Sequence, residues 1–470
     1  MSLLLRPEVD PGLRLPAPVP AGADRSRSRR VPQLPPGWPI GAAVAAYPLW
    51  WALGLTPLVL PVAAALLLRQ LCRRGRIRVP PGFWLWLLFL VVVALSATML
   101  NATAAGTLPP SGAGRFLAYT LRLVEYAGVA VLMLYVGNTS EAELPRLRVV
   151  RWMALLAVWL VVLGLLSLAL PSLSFRTPLS SLLPGPLSFL DEGSQVSLAQ
   201  VQTVLGVAAP RPAAPFAYTN AWGNSLSLLL VWLVVAAWVA GRRARLAAAV
   251  LLAVAVVPVV YSLNRGMWIG LGLSLAYVAV RLAARGRLAA IGALALVLGL
   301  GTVAFVASPL QTLVSERLAN GHSNDIRGAL AGDALRVATD SPLLGYGSTR
   351  AIIGSRDSIA IGRSATCPKC GNFNIGSTGQ YFLLLIAQGF LGTALYVAYF
   401  LRTLWAYRRD CSPVGIAGTL VVLLSLFYGF FYTALLMPLL VTFLAVGLLW
   451  RNAQERARAR AGAPALPGAA

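Results

Sequence analysis

Four arginines stand where an apolar chain has little use for them: Arg211, Arg265, Arg327 and Arg336. Each falls at or near the predicted outer end of an apolar run. Arginine carries a permanent charge and a planar fork of donors shaped for phosphate. Basic residues that only orient a membrane chain belong on its cytoplasmic side. A cluster on the other side points to an anionic, diphosphate-bearing substrate handled outside the membrane.

The segment RPAAPFAYTNAWGN, Arg211 to Asn224, puts a cation, aromatics and amides at the mouth of an apolar run. Arg211 is placed to grip phosphate. Phe216, Tyr218 and Trp222 are placed to stack on a sugar ring or to sit in the headgroup belt. Asn220 and Asn224, one helical turn apart, are placed to bond sugar hydroxyls. An interfacial anchor of aromatics and arginine accounts for the same residues, so both readings stand. The segment YSLNRGMWIG sets Arg265 in a very short turn among apolar neighbours, beside a glycine that allows close backbone approach. An ionisable residue at a membrane edge is a functional candidate by default.

Further on, Asp325, Arg327, Asp333, Arg336 and Asp340 recur at helical spacing. The pattern predicts a helix over about 325–339 that ends before Ser341-Pro342. A solvated helix with an Asp333–Arg336 pair explains part of that pattern. Arg122 and Glu125, three apart on one face of a predicted span, are either a structural ion pair or the lining of a substrate cavity.

Cys367 and Cys370 form a C-x-x-C in a predicted outer loop. With no second pair nearby for zinc, a disulfide is the expected state, and a partial metal site is the alternative. Cys72 and Cys411 read as free thiols on the cytoplasmic side. His322 is the sole histidine. No G-x-S-x-G, P-loop or dinucleotide motif is present, which excludes ATP-driven transport by this chain.

The elements that must position these residues are membrane helices. The chain is 58% hydrophobic and 11% charged, against about 25% charged in soluble domains. Its net charge of +24 is scattered in short clusters between apolar runs. A nucleic-acid binder would gather that charge on a soluble domain, so anionic membrane lipids are the expected partner and nucleic acid is not. The expected class is an all-α polytopic membrane protein with about twelve spans of about 20 residues. The runs are 39–54, 55–68, 82–100, 115–136, 151–170, 220–240, 246–263, 266–281, 288–308, 379–401, 413–431 and 434–450. The first two are short enough to be one kinked element.

Basic clusters follow every even-numbered run. They are Arg69 to Arg78, Arg146 to Arg151, Arg242 to Arg245, Arg281 to Arg287, Arg402 to Arg409, and Arg451 to Arg460. By the positive-inside rule both termini are then cytoplasmic. The expected divisions are a disordered cytoplasmic tail (1–37), an N-terminal bundle (38–308), a large extracytoplasmic loop subdomain of amphipathic helices (309–378), C-terminal spans (379–450) and a second tail (451–470). Long loops in compact membrane proteins are usually functional.

The order of these features resembles the O-antigen ligase and polymerase superfamily of bacterial membrane glycosyltransferases. The matching pieces are R-x4-F-x-Y-T-N (Arg211, Phe216, Tyr218, Asn220), S-x-N-R-G (Ser262 to Gly266), Arg327 leading into SPLLGYG (Ser341 to Gly347), and QYFLLLIAQGFLG (Gln380 to Gly392). They span roughly residues 200–450, and each is short, so their order carries the resemblance. It implies a donor glycan on a polyprenyl diphosphate, a glycan or glycolipid acceptor, no cofactor, and guanidinium groups that stabilise the developing charge so that no metal is required. The site residues implied are Arg211, Arg265 and Arg327, then Arg336, Tyr218, Asn220, Phe216 and Gln380, with Arg122 and Glu125 lining the cavity. One departure stands out. Family members carry a histidine at the start of the span after the large loop, and Thr378-Gly379-Gln380 occupy that place here. Either Gln380, Asp325 or Glu192 assists instead, or this branch works without a general base; a non-enzymatic flippase or assembly partner for lipid-linked glycans is the alternative function.

Overall fold

The computed structural model describes residues 34–110, 112–182, 195–203, 208–286, 288–308, 310–319, 322–351, 362–364, 367–371 and 374–460. The expected tail 1–37 and the assisting candidate Glu192 lie wholly or mostly outside them.

Two short helices come first among the described residues, α1 (Trp38–Ala45) and α2 (Tyr47–Leu53). Each has a proline in its first turn, where a missing N–H costs nothing, and Gly54 closes the second. The run 39–54 is therefore two helices, not one. Next come α3 (Thr56–Cys72), α4 (Phe83–Leu95) continued by a 3₁₀ turn (Ser96–Met99), α5 (Gly114–Asn138) and α6 (Arg146–Ala169). Then follow β1 (Ser174–Arg176), α7 (Pro178–Leu182), β2 (Gln195–Ser197), β3 (Ala199–Thr203) and β4 (Ala208–Pro212). The chain returns to long helices in α8 (Thr219–Ala240), α9 (Arg242–Tyr261), α10 (Arg265–Ala283) and α11 (Leu288–Val306). A mixed segment holds α12 (Leu310–Ala319), α13 (His322–Asp340), β5 (Arg350–Ala351), β6 (Gly362–Ser364), β7 (Cys367–Gly371) and β8 (Asn374–Ile375). The last helices are α14 (Gln380–Tyr407), α15 (Pro413–Tyr428) and α16 (Met437–Arg460).

Among the described residues, six helices are long and apolar enough to cross a membrane: α5, α6, α8, α9, α10 and α14. The all-α expectation needs one amendment. The connecting segments form four two-stranded antiparallel ladders, β1–β2, β3–β4, β5–β8 and β6–β7.

Helix α16 is the axis of the bundle. Every residue from Met437 through Asn452 is buried, as expected of a helix apolar on all sides. It packs against α5, α15 and α8. Beside it Trp86 of α4 meets Phe89, Tyr126, Tyr399 and Phe443 at ring distances of 4.6 to 6.1 Å.

The bundle has two chemically different ends. At one, basic clusters from several connections meet: Arg74 pairs with Glu143, Arg451 with Glu141, and Arg281 donates to the carbonyls of Arg408 and Asp410. The sequence places those clusters on one side, and the contacts gather them there. The other end carries the α9–α10 turn and the mixed segment.

A kink in α14 docks that mixed segment. Gly389 has φ 68° and ψ −171°, outside helical geometry. The break frees the carbonyls of Ile386 and Ala387, which accept from Tyr346 and Gly347 at 2.7 and 2.9 Å. Leu391 N donates in turn to the Pro342 carbonyl. The SPLLGYG turn thus takes up hydrogen bonds that the kink releases, as buried backbone demands. Arg350, 3% exposed, completes the dock. Its guanidinium donates to the carbonyls of Met99, Leu100, Ala102 and Tyr346.

Candidate functional site

The site is built around the three-residue turn Ser262–Asn264 that launches α10 at Arg265. Two arginines from separate segments hold two successive carbonyls of this turn. Arg211, on β4, donates through Nε to the Ser262 carbonyl at 2.7 Å. Arg317, on α12, donates through Nε to the Leu263 carbonyl at 3.1 Å. Between them Leu263 has φ 52°, a left-handed conformation that costs a side-chain-bearing residue roughly 1–2 kcal/mol. Such strain persists only where the surroundings hold it, and here two guanidinium groups do.

Asn264 finishes the turn. Its Oδ1 caps α10 by accepting from Met267 N at 3.3 Å, and it also accepts from the Tyr432 hydroxyl. Its Nδ2 donates to Asn220 Oδ1 at 3.5 Å. Tyr432 comes from the α15–α16 connection and reaches the turn because residue 266 is glycine: a β-carbon there would collide with the Tyr432 hydroxyl oxygen. Arg327, on α13, donates to the Phe431 carbonyl of the same connection at 3.3 Å.

These arginines share one electrostatic field. Burial, then repulsion from Arg317 and Arg327, pulls Arg211 down to about 10 from its ordinary 12.5, with Tyr432 opposing. Burial, then Arg265 and Arg327, pulls Arg317 down to about 10. Arg327 is lowered by burial first, opposed by Tyr432 and pushed further by Arg265. Cations held together in a desolvated place gain most from an anion among them.

The expected residues do not all meet at one place. Arg211, Arg265, Arg327 and Asn220 converge on the turn. Phe216 and Gln380 are spent within the protein. Phe216 is buried against Tyr47 with ring centroids 5.3 Å apart. Gln380, fully buried, donates to the Tyr126 hydroxyl at 3.0 Å and accepts from Ala434 N at 2.9 Å. It braces α14 against α5 and leaves no group for proton transfer. Arg336 turns elsewhere, pairing with Asp333 at 2.9 Å and reaching the Ala105 carbonyl. Tyr218 is 64% exposed at the start of α8, beside Asn220. Arg122 and Glu125 lie on α5 within a turn of Tyr126, and Arg122 Nη1 is buried without a hydrogen-bond partner among the described residues.

Thr378 Oγ1, just before α14, is buried and without a partner among the described residues. The side chains of Asp325, Cys367 and Cys370 lie outside the described residues, and so does the expected disulfide. Cys72 and Cys411 are free thiols. No group of metal-ligating side chains occurs among the described residues.

The chain matches no protein-family model and no curated protein. The site therefore stands on its own geometry.

Arg317 and Tyr432 escape a reading of the sequence, and Asn264 enters it only as part of S-x-N-R-G. Arg317 sits in VSERLA, which looks like a solvated helix face. Asn264 had a signal, since an asparagine before an apolar run is a helix cap. Tyr432 lies in FYGFFYTA, where nothing sets it apart from its aromatic neighbours.

Proposed function

We propose that this chain is a membrane glycosyltransferase of the O-antigen ligase and polymerase type. It transfers or polymerises glycan from a polyprenyl diphosphate on the outer face of the cytoplasmic membrane. The observation that carries the reading is Arg265, presented by a strained turn that two further arginines hold by its carbonyls.

In this reading the acceptor hydroxyl oxygen attacks the anomeric carbon of the donor sugar. The bond from that carbon to the diphosphate oxygen breaks, its electron pair leaves with the polyprenyl diphosphate, and the departing diphosphate oxygen takes up the hydroxyl proton. Charge grows on the leaving group in the transition state, where prepositioned donors act most strongly. Arg265 and Arg327 contact the diphosphate. Arg211 and Arg317 act as positioning residues that add charge, since their Nε groups are committed to the turn. Tyr218 and Asn220 face the sugar. The twelve-span topology, with residues 309–378 outside, belongs to this proposal.

The test is glycan length and attachment in cells lacking the chain, complemented at matched expression. Wild type restores long or transferred glycan. Arg265→Ala leaves lipid-linked units accumulating, and Arg211→Ala impairs the reaction through the turn. Full restoration by both variants would overturn the reading in favour of transport or assembly. A membrane-impermeant maleimide that fails to reach Ser315→Cys from outside would overturn the topology.

A further inference from the structure

We infer that the chain carries a second anion site, for a phosphate-bearing headgroup, at the end of the bundle opposite the arginine turn. This inference does not depend on the transferase reading. The site is a cavity of about 850 Å³ between the α3–α4 connection, the end of α5 and the end of α16. Helix α16 starts beside the Tyr432 connection, and Arg451 lies fourteen residues along it. At 1.5 Å per residue the two sites are about 20 Å apart.

The cavity wall carries Arg73, Arg74, Arg76, Arg78, Arg451 and Arg458 against two carboxylates, Glu143 and Glu455. Both carboxylates are already used. Glu143 takes Arg74 through two bonds of 3.0 and 3.1 Å, and Glu455 takes Arg458 at 3.0 Å. Arg73, Arg76 and Arg78 are exposed and have no ion pair among the described residues. Arg451 is 1% exposed, donates through Nη2 to Glu141, and has Nε and Nη1 without a partner among the described residues.

Topology signals alone do not call for this arrangement. An orienting charge need only lie in the right connection. Here the connection is held in place, because Arg78 N donates to Asn138 Oδ1 at 2.9 Å and Asn138 Nδ2 donates back to the Arg78 carbonyl at 3.0 Å. The arginines are thereby aimed at a walled space, and a buried guanidinium is left with spare donors. Pockets of roughly 300–1,000 Å³ suit small ligands, and basic pockets between membrane helices hold anionic headgroups. The rim is apolar as well: Leu34 and Ile77 line it and are 63% and 42% exposed. Phosphate chemistry beside an apolar rim fits an anionic phospholipid, and a free phosphate shares the same recognition.

The experiment uses the purified full chain in detergent, supplemented with phosphatidylglycerol, phosphatidylcholine or inorganic phosphate. Phosphatidylglycerol is expected to raise the melting temperature and to bind at least about tenfold more tightly than phosphatidylcholine. The exposed triple variant Arg73→Gln, Arg76→Gln, Arg78→Gln should lose that preference. A charge-matched control, Arg69→Gln, Arg148→Gln, Arg151→Gln, should keep it, as should Arg265→Gln at the other end. An equal gain from inorganic phosphate that the triple variant loses and Arg265→Gln retains would support the site and identify free phosphate as its ligand, whereas a phosphate gain lost only in Arg265→Gln would belong to the arginine turn. Equal gains from phosphatidylcholine, or equal losses in the triple variant and its control, would overturn the inference.

Discussion

Arg317 donates to the carbonyl of Leu263, and Leu263 is the one non-glycine residue with positive φ among those described. A charged side chain from a distant helix therefore holds a strained backbone carbonyl, one residue from the cap of α10 and two from Arg265. The bond needs a donor fixed in the guanidinium plane, which lysine lacks. Arg317→Lys and Arg317→Gln are both expected to lower transfer activity by roughly 10²-fold, with little change in protein level. Single-turnover transfer by purified variants checks this, and full activity in Arg317→Gln would refute it.

Gly266 and Gly389 serve different purposes. At 266 the absence of a β-carbon admits the Tyr432 hydroxyl to the turn. At 389 it permits φ 68° and a backbone approach in which a β-carbon would lie 2.5 Å from the Pro342 oxygen. Gly389→Ala should destabilise the whole chain, by roughly 1–3 kcal/mol or more, since strain and overpacking add. Gly266→Ala should cost activity more than stability, because a turn can open locally. Melting temperature and transfer rate, measured side by side, separate the two.

Arg350 ties the mixed segment to the turn after α4 through carbonyls of residues 99–102. Replacing it with alanine leaves several buried carbonyls unsatisfied, at roughly 1–3 kcal/mol each before relaxation. Limited proteolysis of Arg350→Ala should cut early between residues 341 and 379 while the helical bundle survives. Unchanged protection would show that the Gly389 dock alone holds the segment.

The depressed arginines set a pH signature. Arg211 and Arg317 stand at about 10 in the folded chain against 12.5 ordinarily. Between those values the unfolded chain holds more protons, so stability without an anion rises with pH there. Below about pH 10 the charged cluster costs stability, and a bound anion offsets that cost. Inorganic diphosphate should therefore raise the melting temperature between about pH 7 and pH 9, and its effect should shrink as pH passes 10. A gain that persists undiminished above that window would mean the anion binds elsewhere.

Much of this arrangement is legible in the sequence, for identifiable reasons. Hydropathy and helical spacing mark most of the helices, including α13, which runs His322–Asp340 and stops before Ser341-Pro342 as expected. The short turn at Arg265 is legible because a charge among apolar residues demands an explanation. Side-chain direction is not legible. Phe216 and Tyr218 are two residues apart, yet one packs on Tyr47 and the other faces out. Gln380 occupies a suggestive position but is consumed by Tyr126, which is 254 residues away. Arg317 is hidden because an arginine on a helix face reads as solvated until its partner is known. The short ladders and the break at Ala46 depend on local Pro and Gly geometry that apolar runs do not reveal.

The central claim is that the arginine turn holds a lipid diphosphate. The most direct measurement is equilibrium binding of a fluorescent polyprenyl diphosphate to the purified full chain, with polyprenyl monophosphate as comparison. The account predicts that wild type prefers the diphosphate, and that Arg265→Gln and Arg327→Gln each weaken it at least about tenfold, the loss of one charge-assisted contact. Unchanged affinity in both variants, or equal binding of the monophosphate, would contradict it.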